Sequence, residues 1–294
     1  MSTFVPNPWL LGTVAAGLLA CGKDATPRDQ ISSSATNATS ASGTQSAAAT
    51  PVEDGEWRIP AKNFSSTRYS GLDQINAGNV ARLQPAFSFS TGVLRGHEAA
   101  PIVAGNTMFI VTPHPNILYA LDLTRDGALK WKYEPGTSRA ARGVACCDVV
   151  NRGAAYADGR VFINTLDVHT AAVDAETGKE LWKVKLGDIN RGESITMAPL
   201  VVGDKVYVGN SGGEFGVRGW LTALDAATGK TLWRAYSTGP DTDVLIGPRF
   251  KPFYEADRVP NLGVSTWPAD QWQIGGGAVW GWVSYDPEMN AIFY

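Results

Sequence analysis

A tryptophan recurs every 51 residues, closing ALDLTRDGALKW at Trp131, AVDAETGKELW at Trp182 and ALDAATGKTLW at Trp233. A fixed period of this size restricts the fold to copies of one supersecondary unit, each burying its apolar face against the next. Upstream of each copy lies a second shared pattern: APIVAGNTMFIV from Ala100, AAYADGRVFIN from Ala154 and APLVVGDKVYVG from Ala198. These are paired apolar runs broken by Gly-Asn, Asp-Gly or Gly-Asp, the turn chemistry of a two-residue hairpin. The D-x-x-T-G-K-x-x-W stretches also read as strand, tight turn, strand. One unit thus supplies about four short antiparallel strands, which predicts an all-β chain built as a β-propeller of four-stranded blades. The repeated tryptophan is placed to dock one blade on the next. A degenerate earlier copy, NVARLQPAFSFSTG, carries Phe87 at the tryptophan position, and WVSYDPEMNAIFY from Trp282 begins a further unit. Residues 55–294 then hold roughly four blades and a fraction, where propellers close with about four to eight. The expectation is the first half of a protein about twice as long.

The 25 basic residues stand against 28 acidic ones without a basic run, which excludes nucleic acid as a partner. Ten Trp and 32 Gly suit short strands and tight turns. The N-terminal stretch WLLGTVAAGLLAC, Trp9 to Cys21, is apolar or small throughout. It falls short of the roughly 20 residues of a membrane span and has the length of a signal-peptide core. Its end, Leu18-Leu19-Ala20-Cys21, resembles the bacterial lipobox, although MSTFVPNP before it lacks Lys and Arg. Residues 1–21 are therefore expected to be a signal peptide with lipidation at Cys21, with a cleaved secretory signal or an uncleaved anchor as the alternatives. Residues 22–54, rich in Ser, Ala and Thr, cannot bury apolar surface and read as a disordered tether. The expected location is the periplasm, membrane-anchored as a lipoprotein.

The motif GVACCDVVNR places Cys146 beside Cys147 in a chain with one other cysteine. Adjacent Cα atoms lie about 3.8 Å apart, below the roughly 4.4–6.8 Å a disulfide normally spans, so a bridge between them closes a strained ring. Strain of this kind collects at functional sites. An exported chain meets an oxidising compartment, where such a ring persists. Two reduced structural thiols, or a bridge to another chain, remain the alternatives from the residues alone.

Together with the repeats and GNSGGEFGVRGW, the vicinal cysteines give a chain that resembles the PQQ-dependent methanol/ethanol dehydrogenases, eight-bladed quinoproteins of the bacterial periplasm. The resemblance runs from about Glu56 to Tyr294. It implies that Cys146 and Cys147 form a disulfide ring against one face of the quinone, with Trp280 of GGGAVWGW against the other. By itself, Trp280, a large aromatic after a glycine run, reads first as a core residue. The resemblance further implies cofactor contacts from Glu98, Arg152, Thr196 and Ser211 and from the backbone at Gly212 and Gly213, where glycine lets the chain approach a ligand. A guanidinium and hydroxyls suit a tricarboxylate. Glu214 corresponds to the family's carboxylate ligand for Ca²⁺ or a lanthanide, hard cations that take oxygen donors. His97, His114 and His169 show no metal spacing.

The implied activity is oxidation of primary alcohols to aldehydes, with electrons passed to a cytochrome c. The family's asparagine metal ligand and its general-base aspartate are expected beyond Tyr294, as is the aspartate that distinguishes lanthanide from calcium enzymes. No catalytic residue is assigned within this chain, and the chain alone is expected to be inactive. Two other readings account for part of the sequence: a non-catalytic outer-membrane propeller lipoprotein acting as an assembly scaffold, or a truncated enzyme remnant. A scaffold needs the docking tryptophans but has no use for Cys146-Cys147, Glu98, Arg152 or SGGE.

Overall fold

A computed structural model of the protein describes residues 55–145, 147–248, 250–251 and 259–294. The expected signal peptide with Cys21 at residues 1–21, the tether to residue 54 and Cys146 lie outside the described residues.

The hairpins read from the sequence form where the turn residues place them. β1 (Ile102–Ala104), β2 (Thr107–Val111), β3 (Leu118–Asp122) and β4 (Ala128–Tyr133) make one antiparallel sheet in chain order. β5 (Ala154–Ala157), β6 (Arg160–Thr165), β7 (His169–Asp174) and β8 (Glu180–Lys185) make the second. β9 (Leu200–Val202), β10 (Lys205–Gly209), β11 (Trp220–Asp225) and β12 (Thr231–Tyr236) make the third. β13 (Ser284–Asp286) and β14 (Ala291–Phe293) start a fourth. The described residues therefore contain three complete blades and a hairpin, fewer than the four and a fraction counted from the repeats. The difference lies in the degenerate copy around Phe87, which forms only a short 3₁₀ turn at Val80–Arg82 followed by chain without regular secondary structure.

The 51-residue period is visible atom by atom. Trp131, Trp182 and Trp233 pair across the sheet with Ala120, Ala172 and Ala223, and a bulge follows each alanine. The small residue opposite leaves room for the indole, which leans on an aromatic of the blade's second strand. Ring centroids are 5.8 Å apart for Phe109 and Trp131, and 5.9 Å for both Phe162 with Trp182 and Tyr207 with Trp233, a separation favourable for aromatic pairs.

Docking on the next blade follows the expected plan. Trp131 Nε1 donates to the Ala175 carbonyl and Trp182 Nε1 to the Ala226 carbonyl, each at 3.1 Å. The glycine of each T-G turn is where the preceding blade's indole lands: a Cβ on Gly178 or Gly229 would lie 2.7 Å from Trp131 or Trp182. Phe87 occupies the same place against Gly127, so the degenerate copy keeps the docking ring without the sheet. The aspartate that opens each turn fixes its shape. Asp174 accepts from the backbone and hydroxyl of Thr177, and Asp225 from those of Thr228.

Burial grades outward within a blade. The third strand is buried at nearly every position, whereas the fourth is mostly accessible. This is the pattern of a sheet whose inner three strands are covered by neighbours and whose fourth lies at the free rim. Across the inner edges runs the segment 57–64. Trp57 exchanges two backbone hydrogen bonds with Val103, Arg58 accepts from the Tyr156 amide and Phe64 from the Tyr285 amide. One stretch thus ties the first, second and fourth blade units together. Among the described residues no helix is long and apolar enough to cross a membrane.

Candidate functional site

A chain that leaves one blade's outer strand must cross to the inner strand of the next, and these crossovers gather beside the inner edges. Cys147 and Arg152 lie on the β4–β5 crossover, Thr196 on β8–β9 and Trp280 on β12–β13, while Ser211 and Glu214 come from the β10–β11 connection. All six line one cavity of about 210 Å³. That is smaller than the roughly 300–1,000 Å³ of a typical complete ligand pocket, so these residues form part of an enclosure.

Backbone bridges hold the set together. Ala100 pairs with Gly153 in a parallel bridge, which brings Glu98 alongside Arg152, with the carboxylate 3.3 Å from Nη2. Ser194 and Ser211 form an antiparallel bridge, and Arg152 N donates to the Thr196 carbonyl at 3.0 Å. The buried hydroxyls of Thr196 and Ser211 are 2.8 Å apart and share a hydrogen bond. The Arg152 side chain is only 12% exposed and its guanidinium lies 5.1 Å from the Trp280 ring centre.

Two readings of individual residues change. Trp280 does not fill a core: it is 54% exposed, with a face turned to the cavity residues. Gly212 is required by the protein itself, because its φ is +114° and a Cβ there would collide with the Gly192 carbonyl. At Gly213 a Cβ would meet only ordinary contact, 3.5 Å from the Ala278 methyl, so no packing within the chain excludes a side chain there. The run before Trp280 is glycine-rich because this segment presses on the third blade. Gly219 N donates to the Gly276 carbonyl at 2.8 Å, and Gly219 has no space for a side chain beside Gly277.

Ala145, Asp148, Val150 and Ser194 also line the cavity and were not singled out by sequence. Ser194 stands two residues before Thr196, and that alternation was the available signal. Asp148 pairs with Arg95 at 3.8 Å. The described residues bring together no group of three His, Cys, Asp or Glu side chains fit for a metal. His97 is bonded locally to Thr91 and the Arg95 carbonyl.

The donor set fits a planar, polyanionic group. Arg152 and the two hydroxyls can hold carboxylates, and Trp280 offers a flat apolar face. The charge balance adds a condition. The lining holds two carboxylates, Asp148 and Glu214, and one guanidinium, Arg152, which already pairs with Glu98, so a polyanion is better accommodated when a further cation comes with it.

Three four-stranded blades, with a cavity assembled from their crossovers and the β10–β11 connection, define a β-propeller whose cavity sits beside the inner strand edges. The family described as "PQQ: Glucose/ethanol/alcohol dehydrogenase, beta-propeller domain" matches residues 57–294, and the chain belongs to it. It is 54% identical over 243 residues to the lanthanide-dependent methanol dehydrogenase of Methylacidiphilum fumariolicum (strain SolV), a match covering 82% of this chain and 40% of that protein. Methanol dehydrogenase [cytochrome c] subunit 1 of Methylorubrum extorquens is 49% identical over 250 residues, with the same two coverages. A solved structure of a europium-containing methanol dehydrogenase superposes with a TM-score of 0.78 at 54% identity, covering 81% of this chain and 41% of that one. The chain thus spans about two fifths of the length of these relatives.

Proposed function

We propose that the chain supplies much of the cofactor cage of a periplasmic, PQQ- and metal-dependent dehydrogenase that oxidises primary alcohols to aldehydes and passes electrons to a cytochrome c. The observation that carries this reading is the meeting of Cys147, Arg152, Thr196, Ser211, Glu214 and Trp280 in one cavity, from positions spread over more than two blades. The names of the methanol dehydrogenases above support the substrate class and the electron acceptor.

When bound, PQQ would supply the two-electron acceptor for the alcohol's hydride, with a metal ion as Lewis acid. The residues of this chain bind and orient. Arg152, held by Glu98 and by the backbone bond to Thr196, presents a fixed guanidinium to a carboxylate. Thr196 and Ser211 offer hydroxyls that share one hydrogen bond with each other, which leaves one O–H free to donate to a ligand carboxylate. Trp280 supplies one stacking face. The wall at Cys147 would supply the other, closed by a ring to Cys146. Glu214 would give the metal one or two oxygens. Ca²⁺ takes six to eight, so the remaining ligands must come from the cofactor and from residues outside the set gathered here. For that reason the 294-residue chain alone is expected to turn over no alcohol. Export through the N-terminal segment, with a lipid on Cys21, completes the proposal and rests on the sequence pattern alone.

The test is titration of the full chain with PQQ, with and without Ca²⁺ or La³⁺, followed by tryptophan fluorescence and thermal shift. Saturable quenching that needs the metal and is lost in Glu214→Ala supports the reading. Absence of binding under all three conditions overturns it.

A further inference from the structure

The segment that presents Cys147 is fastened to the second blade by a buried carboxylate that the sequence did not mark. This loop runs from Ser138 to Val149, between β4 and β5. At its root, Ser138 N donates to Asp167 Oδ2 at 2.8 Å, and the Ser138 carbonyl lies 3.3 Å from His114 Nε2. At its far end, His114 N donates to the Val149 carbonyl at 2.8 Å. Between the two ties, Ala141 and Val149 pack with Leu166 in a small apolar cluster of their own.

Asp167 sits in the turn joining β6 to β7 and is only 6% exposed. Its second oxygen accepts from the Thr165 hydroxyl at 2.6 Å and lies 3.2 Å from His169 Nδ1. Burial opposes ionisation of this carboxyl. The imidazole of His169 beside it and the hydrogen bonds from Thr165 and Ser138 outweigh that effect and hold it well below the usual carboxylate range. A buried carboxylate with its oxygens committed in this way cannot shift without leaving donors unsatisfied.

We propose that Asp167 is a positioning residue for the cavity: its carboxylate fixes the root of the Ser138–Val149 loop and so sets where Cys147 stands opposite Trp280. The proposal rests on the reading of that cavity as a cofactor site, and its effect is exerted through the loop, since Asp167 does not line the cavity.

The experiment compares the full chain with Asp167→Ala, Asp167→Asn and Val173→Ala. Val173 is fully buried in β7 of the same blade and touches neither loop nor cavity, so its truncation gives a destabilised reference. Two quantities are read: hydrogen exchange of the peptide covering 139–149, and PQQ affinity by fluorescence in the presence of metal. Loss of a buried charge-assisted tie predicts roughly tenfold or greater acceleration of exchange in that peptide and a similar loss of PQQ affinity for Asp167→Ala. Asp167→Asn, which keeps one carbonyl acceptor, is expected to fall between it and the parent, and decides the matter if the alanine variant does not fold. Val173→Ala should lower thermal stability and leave both readouts unchanged. Equal effects of Asp167→Ala and Val173→Ala, or no change in loop exchange, overturn the proposal. Should the parent chain bind no PQQ, the cofactor reading fails while the exchange comparison still decides whether Asp167 fixes the loop.

Discussion

The Arg152 guanidinium and the Trp280 ring face each other at 5.1 Å across the cavity, although 128 residues separate them in the chain. Glu98 holds the guanidinium from the side, and it is the more exposed member of that pair, at 47% against 12%. A half-exposed carboxylate contributes little to an ion pair, whereas a buried planar guanidinium is hard to replace. Arg152→Lys, which keeps the charge but loses the fork, is expected to weaken PQQ binding about tenfold or more. Glu98→Gln should cost about threefold or less. Fluorescence titration of the two variants checks the ranking.

The acidic balance of the cavity predicts that metal and cofactor bind as a pair. With two carboxylates, Asp148 and Glu214, and one guanidinium in the lining, each ligand supplies charge the other needs. Ca²⁺ or La³⁺ should raise PQQ affinity at least tenfold, and by linkage PQQ should raise metal affinity by the same factor. Calorimetric titration in both orders measures the two factors. Glu214→Gln should bring them close to one.

Blade docking sets the scale of stability. Trp182 is 9% exposed and anchored to the Ala226 carbonyl, so Trp182→Ala is expected to cost about 3–5 kcal/mol. Gly229→Ala places a methyl at φ +73° and 2.7 Å from the same indole, and should destabilise from the opposite side of the contact. Because the two changes damage one contact, their sum should exceed the effect of the double variant. Denaturant melts of the three variants test this.

The turn aspartates predict how stability falls in acid. Hydrogen bonds from the Thr177 and Thr228 hydroxyls, followed by their backbone amides, lower the pKa values of Asp174 and Asp225 below the ordinary 3.8. Their stabilisation is therefore complete above that value and is lost as the pH falls through the lowered folded-state pKa. Thr177→Val and Thr228→Val should reduce stability at neutral pH and flatten the acid limb of a Tm-against-pH curve. A limb of unchanged steepness would contradict the assignment.

The blades were legible because each repeat carries two independent signals, hairpin turn residues and a tryptophan that recurs every 51 residues. Around Phe87 only the aromatic survives, and without the paired turn and strand pattern the segment docks but does not pair. The cavity was legible where a residue belongs to a dense motif, as Arg152 and Glu214 do. Asp148 was not, because a lone aspartate in a crossover carries no spacing of its own, and Ser194 offered only its alternation with Thr196. Trp280 was ambiguous for a different reason. A ring after three glycines suits a core or a surface, and only contacts such as Gly219 on Gly277, made across 58 residues, decide which way the segment passes. Asp167 looked like any polar residue at a hairpin turn, since its partner Ser138 contributes only a backbone amide.

Stacked repeats in general melt piecemeal, each unit answering only to its immediate neighbours. The segment 57–64 breaks that independence, because it is hydrogen-bonded to Val103, Tyr156 and Tyr285 at once. Fraying of the β13–β14 hairpin pulls on a strap that also holds the first two blades, so loss of the far end is felt at the near one. The array should then lose its structure in a single transition rather than blade by blade.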